Sequence, residues 1–556
     1  MWQGVNVAKS LSTHSRGQNI NELESELFDL VIIGGGITGA GAARDAASRG
    51  MKVALIEAQD FAQGTSSRSS KLVHGGIRYL ENYEFHLVFE ALSERALLFE
   101  LAPTLVHPLR FVLPLYKGNR VGMFMMGMGM WAYDALSLFE APELHERLSA
   151  AESVARLPLL QNLGLVGSYV YSDAYMDDDR LVHETLRSAA RLGAVAVNHV
   201  RVFGAEMVND KVVAIEAKDV KTGRTFKVRG KHFLSTVGPW TDRVGTELLH
   251  QWKPILRPSK GVHLTFNRSR FDVTDAIVMA ADNEKRIVFG IPRHEMFIIG
   301  TTDTDFSGDP ADVSVTPEDV KYLLGVAAEY FPGANLTEKD IVASYCGVRP
   351  LVNDGSESES KTSREHLILN DPRNITFVAG GKYTTYRRMA GEAIDSALDT
   401  YSSEDQARFS RADTERALNE RASVDALERA RRRVGEYSVK HKLSVSSVQL
   451  LVDRHALEVE DLFAFDPGVK FPDDERVFSM EARHAIRETM CDSLSDFYFR
   501  RVPLFLSRAD HGLPLLARIS RVFQEELKWT DAERAQQSAR LQDDMGRELA
   551  WRKGNP

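Results

Sequence analysis

The chain has 556 residues, which is too long for one simple core, so two or three domains are expected. Hydrophobic residues make up 43% of it and charged residues 26%, as in a globular protein, and the net charge of -9 argues against nucleic acid as the main partner. Only two cysteines occur, Cys346 and Cys491, and no H-E-x-x-H or C-x-x-C pattern is present. The sequence therefore predicts neither a disulfide framework nor a metal site.

The first 26 residues are polar and lack the apolar core of a secretory signal. The opening MWQGVNVAKSLSTHSRG contains serine and no acidic residue, a composition with a faint likeness to an organellar transit peptide. Unstructured tails are commoner than import signals. We therefore predict a disordered extension over residues 1–26.

A strand–helix–strand unit follows. LFDLVII (27–33) is an apolar run of strand length that ends at three glycines. Thr38 to Arg49 is alanine-rich and compatible with a helix, and Gly50 follows as a C-cap. KVALI (52–56) has the composition of a second buried strand and ends at Glu57. The order predicts one βαβ unit.

The glycine turn of this unit has the spacing of a dinucleotide-binding motif, G-x-G-x-x-G. The first glycine allows the tight turn, the second lets backbone approach a pyrophosphate, and the third lets helix and strand pack closely. The helix N-terminus then presents unpaired N–H groups to the phosphates. An acid after the second strand accepts hydrogen bonds from ribose hydroxyls and disfavours NADP. We assign to the cofactor Gly34, Gly36, Thr38, Gly39 and Glu57.

The motif alone fits NAD and FAD equally, and the segment after the second strand favours FAD. A hydroxyl run (65–70) leads into KLVHGG (71–76). A nicotinamide dehydrogenase needs no second polar, glycine-rich loop there, whereas the longer ribityl arm and polar ring edge of a flavin would be lined by one. The candidate residues are Thr65, Ser66, Ser67, Ser69, Ser70, Lys71, His74, Gly75 and Gly76.

A second loop of this kind lies in ITFVAGGKYTTYR (375–387), where an apolar strand ends at two glycines and a lysine before a helix. Gly380 and Gly381 would let backbone N–H groups reach the flavin ring carbonyl. Lys382 would stabilise negative charge as the reduced flavin becomes anionic. We predict that these three residues bind FAD.

The remaining segments suggest three folded parts. A helix is predicted from about 82 to 101. Alternating stretches at 262–266, 286–291 and 296–302 indicate an antiparallel sheet, and the chain is charge-dense and helical from about 400. We predict an α/β protein with a Rossmann-like FAD-binding domain, an antiparallel-sheet substrate domain and a helical C-terminal domain. The respective boundaries are 27–100 with 160–245 and 340–398, then 101–159 with 246–339, and then 399–556.

VGMFMMGMGMWAY (121–133) is the longest uncharged run and contains five methionines. It is too short to span a bilayer, which requires roughly 20 apolar residues. It suits either a buried core helix or a surface that dips into a membrane or a partner. We favour core packing.

Taken together, these motifs resemble the FAD-dependent glycerol-3-phosphate dehydrogenases, within the flavoprotein group that also contains D-amino-acid and glycine oxidases. The likeness covers roughly residues 28–400 in the order of that family, and the helical C-terminal part resembles its helical domain less sharply. The matching segments include IIGGGITGAGAARDAASRG (32–50), EAQDFAQGTSSRSSKLVHGGIRYLE (57–81), YSDAYMDDDRLV (171–182), STVGPWTD (235–242), KGVHL (260–264), IVFGIPRHEMFIIGTTDTDFSGDP (287–310), YCGVRPLVNDG (345–355), SREH (363–366) and AGGKYTTYR (379–387).

The resemblance implies oxidation of sn-glycerol 3-phosphate to dihydroxyacetone phosphate, with a hydride passing from C2 of the substrate to N5 of FAD. It further implies transfer of electrons to a membrane quinone, peripheral attachment to the cytoplasmic face of the inner membrane, and a homodimer. Two candidates for membrane contact remain open, namely the 121–133 stretch and the helix after Tyr386. The alternative functions are a glycerol-3-phosphate oxidase that uses oxygen, and an amino-acid or amine oxidase on the same scaffold.

The same resemblance assigns roles at the substrate. Arg78, Arg349 and Arg364 would bind its phosphate, since a planar guanidinium pairs with two phosphate oxygens, and Arg349 is the strongest candidate. Tyr79 would line the pocket.

Two histidines compete for the role of catalytic base. We prefer His263, on a predicted strand, as the base for the hydroxyl proton. His74 is the competitor, and orienting the flavin is the role we favour for it.

Overall fold

The computed structural model describes residues 10–77, 80, 84–138, 140–282, 286–353, 355 and 365–554. In chain order the strands of these residues are β1 (Leu27–Ile33), β2 (Val53–Ile56), β3 (Leu72–Val73), β4 (Val106–Tyr116), β5 (Glu146–Ser149), β6 (Leu165–Met176), β7 (Val195–Val197), β8 (Val200–Val208), β9 (Lys211–Asp219), β10 (Thr225–Ser235), β11 (Ser259–Asn267), β12 (Ala276–Ala281), β13 (Arg286–Arg293), β14 (Met296–Gly300), β15 (Thr304–Asp305), β16 (Ile341–Arg349), β17 (His366–Asp371) and β18 (Ile375–Gly380).

The α-helices of the same residues are α1 (Arg16–Ser25), α2 (Ile37–Ser48), α3 (Phe85–Leu101), α4 (Met123–Leu136), α5 (Ala150–Arg156), α6 (Asp178–Arg191), α7 (Thr241–Leu249), α8 (Pro317–Tyr330), α9 (Tyr386–Leu398), α10 (Ser403–Gln406), α11 (Val424–Arg432), α12 (Val434–His441), α13 (Val445–His455), α14 (Val459–Phe463), α15 (Asp473–Glu488), α16 (Leu494–Arg500), α17 (Leu504–Ser507), α18 (Leu516–Leu527) and α19 (Asp531–Glu548).

The first sheet has the order β17-β18-β10-β1-β2-β7, and the β8–β9 hairpin extends it from β10. Its central pairs are parallel, including β1 with β2 and β1 with β10. Every residue of β1 after Leu27 is buried, as expected of a parallel strand that is covered on both faces. Helix α2 joins β1 to β2, so the predicted βαβ unit is confirmed.

The second sheet has ten strands in the main order β15-β11-β14-β13-β12-β4-β6-β3, with β16 on β11 and β5 on β6. Nearly all its pairs are antiparallel, and β12 with β4 is a parallel exception. The predicted antiparallel sheet is thus present. The fold class of a Rossmann-like α/β part, an antiparallel sheet and a helical C-terminal region is confirmed.

Three strands depart from the predicted domain boundaries. Strand β3, within segment 27–100 of the predicted FAD-binding domain, pairs with β6 in the second sheet. Segments 160–245 and 340–398 were both predicted to belong to the FAD-binding domain. However, β6 pairs with β4, and β16 pairs with β11, all within the second sheet. Such pairings join strands far apart in sequence and depend on contacts that local patterns do not encode. These three strands therefore belong to the second sheet.

The prediction of disorder over residues 1–26 is wrong for the part that the structure describes. Helix α1 buries Ile20 and Leu23 against the first sheet. The Arg16 guanidinium lies 2.7 Å from the Asp219 carboxylate, and both side chains are buried. Burial of a few apolar side chains and one ion pair orders a segment whose composition is polar. Residues 1–9 lie outside the described residues.

Helix α4 contains most of the methionine-rich run, and the preference for core packing there is wrong. Phe124 is 81% exposed and Trp131 61%, while Met130 and Tyr133 are buried. The apolar residues of this helix lie on all of its sides, so its sequence does not show which face packs on the sheet. Among the described residues, the structure has no helix of the length and apolarity required to cross a membrane.

The helices from α11 to α19 form the predicted helical C-terminal region. Its residues share a hydrophobic cluster with the second sheet, in which Phe478 and Phe497 pack with Phe111 and Tyr171. It also contacts the first sheet through Asp60, whose carboxylate lies 2.6 Å from Arg500 and 2.9 Å from Arg501. The C-terminal region is therefore joined to both sheets through buried contacts.

Candidate active site

A cavity of about 650 Å³ is lined by residues from both sheets, and most of the predicted site residues meet there. The amino end of α2, the ends of β1, β2 and β18, and the strands β11 and β16 all reach it. The predicted residues that line it are Gly34, Gly36, Thr38, Glu57, Thr65, Ser66, Ser69, Ser70, His74, His263, Arg349, Gly380, Gly381 and Lys382.

The glycine turn between β1 and α2 has no room for side chains. Gly34 has φ +107°, and a Cβ there would lie 2.7 Å from the Thr236 carbonyl oxygen. A Cβ on Gly39 would lie 1.9 Å from the Gly34 carbonyl oxygen. The turn therefore presents bare backbone to the cavity, with the N-terminus of α2 behind it, as a pyrophosphate requires.

Glu57 follows β2 and lines the cavity beside this turn. Its carboxylate accepts hydrogen bonds from the backbone N–H of Gly35 at 2.7 Å and of Gln59 at 2.8 Å. Burial raises the pKa of the carboxyl, and these two N–H donors oppose that shift. The side chain is thus fixed at the edge of the cavity by backbone on both sides.

The hydroxyl run ties several elements together around the cavity. Ser66 Oγ accepts from the Ile37 N–H at 3.0 Å, at the start of α2. Thr65 Oγ1 donates to the Val348 carbonyl at 2.6 Å, next to the end of β16. Ser69 Oγ donates to Asp178 at 2.7 Å. One short segment therefore fixes the relative positions of the glycine turn and the strand that carries Arg349.

Lys71, predicted to bind the cofactor, is not among the residues that line the cavity. Its ammonium group is buried and lies 2.5 Å from the Asp178 carboxylate, so a fixed anion holds it away from a ligand. Gly39, Ser67, Gly75 and Gly76 also do not line the cavity.

The second glycine loop meets the first. Gly380 and Gly381 have φ +73° and +85°, values that favour glycine, and both line the cavity with Lys382. Thr384 Oγ1 accepts from the backbone N–H of His74 at 3.3 Å, which joins the two predicted flavin loops directly. Polar groups that are 310 residues apart in sequence therefore share one wall.

His263 lies on β11 and is buried. Its ring stacks on Tyr345 with centroids 4.7 Å apart, and its Nε2 is 2.9 Å from Ser70 Oγ. Burial, with the nearby charges of Arg349 and Lys71, lowers the pKa of the imidazole well below its usual range. The ring is therefore neutral near pH 7 and can accept a proton.

Arg349 ends β16 at the same part of the cavity. Its guanidinium donates to Asp303 at 3.1 Å and to Thr301 Oγ1 at 3.0 Å. A Cβ on Gly261, which also lines the cavity, would lie 2.5 Å from Arg349 Nη2. A side chain on residue 261 would thus collide with the guanidinium, and glycine leaves it in place beside His263.

Arg78, Tyr79 and Arg364, the other predicted substrate residues, lie outside the described residues. The sequence reasoning also missed contributors that the structure shows. Asp303 and Thr301 position Arg349, and Tyr345 supports the His263 ring. All three lie within segments that carry the family resemblance, which was the available signal.

The residues present fit FAD. The glycine turn excludes Cβ atoms, Glu57 lines the cavity after the second strand, and the cavity is also lined by His74 of the first loop and by Gly380 and Gly381 of the second. Trp240 and Val244 also line it. Bare backbone at the glycine turn, together with both polar and apolar side chains elsewhere in the cavity, suits a dinucleotide with a flavin ring.

Comparisons with known proteins agree with this geometry. The model of a family described as FAD dependent oxidoreductase matches residues 29–387. A second family, described as the C-terminal domain of alpha-glycerophosphate oxidase, matches residues 423–534. The aerobic glycerol-3-phosphate dehydrogenase of Staphylococcus saprophyticus is 33% identical over 96% of this chain and 97% of its own length. That of Bacillus subtilis is 35% identical over 88% of this chain and 89% of its own.

Solved structures give the same result. The glycerol-3-phosphate dehydrogenase of Bacillus halodurans, solved with FAD, superposes with a TM-score of 0.78 at 28% identity, over 97% of this chain and 98% of that one. Glycine oxidase of Geobacillus kaustophilus shares the fold, with a TM-score of 0.53 at 19% identity over 71% of this chain and 99% of that one. The cofactor of the protein is FAD. The chain belongs to the FAD-dependent oxidoreductases and, among them, to the aerobic glycerol-3-phosphate dehydrogenase family.

Proposed function

We propose that the protein oxidises sn-glycerol 3-phosphate to dihydroxyacetone phosphate and passes the electrons to a membrane quinone. The observation that carries the proposal is the pairing of a fixed guanidinium, Arg349, with a buried neutral imidazole, His263, on one wall of the FAD cavity. An anionic substrate with an oxidisable alcohol needs one group of each kind.

The guanidinium of Arg349 would bind the phosphate. Asp303 and Thr301 hold it from behind, so its planar fork needs little reorganisation to pair with phosphate oxygens. Arg78 and Arg364 would complete the phosphate site, with Tyr79 beside it.

His263 would accept the proton of the C2 hydroxyl. Its low pKa keeps the ring neutral, and Ser70 and Tyr345 fix its orientation. His74 also lines the cavity, and its backbone is held by Thr384, which suits orientation of the flavin better than proton transfer. FAD, when bound, supplies the acceptor for the hydride that leaves C2. Lys382 would stabilise negative charge at the flavin side of the cavity.

The direct test is anaerobic. We expect the purified holoenzyme to lose its yellow colour when glycerol 3-phosphate is added, and to keep it with glycine or a D-amino acid. Bleaching by the amino acids alone would identify an amine or amino-acid oxidase instead. Under air, rapid peroxide release without quinone reduction would identify a glycerol-3-phosphate oxidase and contradict the quinone as acceptor.

Helix α4 is our candidate for the membrane contact. Phe124, Met125, Met128 and Trp131 project from one helix and are between 47% and 81% exposed. The alternative helix, α9, buries its apolar side chains, and its Arg387 lies 2.6 Å from Glu94. These facts support attachment through α4 at the cytoplasmic face of the inner membrane. The protein would act there as a homodimer, which sedimentation analysis tests.

Vesicles test the surface itself. Phe124→Ser combined with Trp131→Ser should reduce co-sedimentation with phosphatidylglycerol vesicles roughly tenfold or more, since each side chain contributes about 1.5–3 kcal/mol when buried. Bleaching by glycerol 3-phosphate should be unchanged. Val439→Ser, at a position that is 81% exposed on α12, is the matched control and should bind vesicles normally. Equal binding by all three proteins would exclude α4.

A further inference from the structure

The two faces of α4 have different surroundings. The outer face is exposed, whereas the inner face packs closely on β6. Tyr169 Oη donates to the Met123 carbonyl at 2.9 Å, and a Cβ on Gly127 would lie 2.5 Å from the same Oη. The close approach of α4 to the sheet therefore depends on the absence of a side chain at Gly127, where the helix contacts Tyr169.

Tyr133 on this inner face reaches the first flavin loop. Its hydroxyl donates to the Asp173 carboxylate at 2.8 Å and accepts from the backbone N–H of Gly75 at 3.0 Å. Gly75 N–H also lies 3.2 Å from Asp173. A Cβ on Gly75 would lie 2.5 Å from Tyr133 Oη, so glycine is needed for this approach.

The anion of this group is held by a buried cation. Arg95 on α3 lies 2.7 Å from Asp173, and both side chains are almost fully buried. Burial and the Asp173 charge raise the pKa of Tyr133 well above its usual range, so its hydroxyl remains protonated and donates to the carboxylate. The lone pairs of the hydroxyl oxygen can then accept the hydrogen bond from the Gly75 N–H.

The two peptide groups on either side of the His74 Cα are thus both held by hydrogen bonds. Thr384 of the second flavin loop binds the N–H of His74, and Tyr133 with Asp173 binds the N–H of Gly75. His74 lines the FAD cavity while Tyr133 belongs to an exposed helix. A movement of α4 by a fraction of an ångström would be carried to the cavity wall by this bond.

We propose that Tyr133 is a positioning residue that transmits the position of α4, through the Gly75 N–H, to the His74 wall of the FAD cavity. This inference needs the bound FAD but not the substrate or the membrane contact proposed above, because it concerns only the geometry of the loop. It assigns the inner face of α4 a role that is separate from that of its exposed face.

A matched pair of glycines in α4 tests the transmission. Gly127→Ala inserts a methyl group against Tyr169 and should displace the helix from the sheet. Gly129→Ala makes the same chemical change where nothing lies within 4 Å. Both raise helix propensity equally, by about 1 kcal/mol. Only Gly127→Ala should change the visible circular dichroism of the bound flavin in the holoenzyme.

A matched pair of tyrosines tests the bond. Tyr133→Phe removes the hydroxyl that Gly75 binds. Tyr171→Phe removes a buried hydroxyl from a ring whose centroid is 5.6 Å from that of Tyr133. We expect Tyr133→Phe to alter the flavin dichroism and to slow flavin reduction by glycerol 3-phosphate roughly tenfold, with KM nearly unchanged, as a small misplacement does. Tyr171→Phe should alter neither property.

The double variant Gly127→Ala/Tyr133→Phe should be no worse than Tyr133→Phe alone, because the displaced helix no longer has a bond through which to act. An unchanged flavin spectrum in Tyr133→Phe would overturn the proposal. So would equal effects of Gly127→Ala and Gly129→Ala, or an effect of Tyr133→Phe with none of Gly127→Ala. The dichroism readout needs no substrate, so failure of the proposed reaction would be recognised separately.

Discussion

The wall of the FAD cavity and the junction between the C-terminal region and the segments after β2 and β7 each contain a histidine with a shifted pKa, and the two shifts have opposite directions. His263 faces Arg349 and Lys71, and its pKa lies well below the usual range. His199 lies 3.3 Å from Asp492 and 3.4 Å from Asp496. These carboxylates outweigh the effect of burial and raise the pKa of His199 to about 10.

The difference shows how neighbouring charges set the protonation states of the two histidines. At the junction, cations and carboxylates are matched: Asp60 pairs with Arg500 and Arg501, and His199 with two acids. At the cavity, His263 has cations near it and no carboxylate among the causes of its shift. The cations near His263 have carboxylate partners of their own, Asp178 for Lys71 and Asp303 for Arg349. A histidine beside carboxylates stabilises the fold, whereas the neutral His263 is available to accept a proton.

The largest effect is expected at the junction. Arg501→Ala leaves the buried Asp60 carboxylate with Arg500 alone, and should lower the free energy of unfolding by about 3 kcal/mol. Urea denaturation measures this. Flavin reduction in the remaining folded protein should be normal. A loss below about 1 kcal/mol would mean that the junction charges are not matched in the way described.

At the cavity, His263→Gln should slow flavin reduction by about 100-fold or more while substrate binding survives, because general-base catalysis contributes at least that much. His199→Gln is the control, since it makes the same substitution at the junction, away from the cavity, and its flavin should be reduced at the normal rate. In the unmodified protein the rate should show no inflection near pH 6.5, because His263 is already neutral there. An inflection that disappears in His263→Gln would contradict its low pKa.

Arg349→Ala should raise KM for glycerol 3-phosphate roughly ten- to hundredfold and leave the flavin bound, since charge-assisted hydrogen bonds contribute about 1.5–3 kcal/mol. Arg270→Ala, which removes an exposed partner of Asp340, is the control and should leave KM unchanged. Steady-state kinetics distinguishes the two. An unaltered KM in Arg349→Ala would exclude the phosphate role.

A pH dependence of stability is also expected at the junction. The folded pKa of His199 is above its unfolded value, so its contribution is complete below about pH 6.5 and is lost as pH rises towards about 10. The difference in unfolding free energy between the unmodified protein and His199→Gln should therefore shrink over that range. A difference that grows with pH would reverse the assignment.

Features of the site that depend on local order were predictable from sequence. The turn of Gly34 and Gly39 is encoded within one βαβ unit, and Glu57 follows directly from the end of its second strand. The hydroxyl run and the second glycine loop were likewise marked by composition. Their meeting in one cavity follows from a parallel sheet, in which strand ends lie at one edge.

Long-range relations were not predictable in this way. The contact of Ser70 with His263 joins residues 193 apart, and the anchoring of Arg349 by Asp303 depends on the pairing of β16 with β11. Lys71, predicted to bind the cofactor, instead pairs with Asp178, which is 107 residues away in sequence. The prediction of core packing for α4 was wrong for another reason. The apolar residues of this helix lie on all sides, so composition alone does not show which side is covered.

The ion pairs of Asp60 affect how the protein unfolds. It stands three residues after Glu57, and the arginines that neutralise it belong to the C-terminal helices. If the two regions separated, Asp60 on one side and Arg500 and Arg501 on the other would lose their partners. The helical region and the nucleotide-binding region should therefore melt in a single calorimetric transition. Addition of FAD should raise the melting temperature of both regions together.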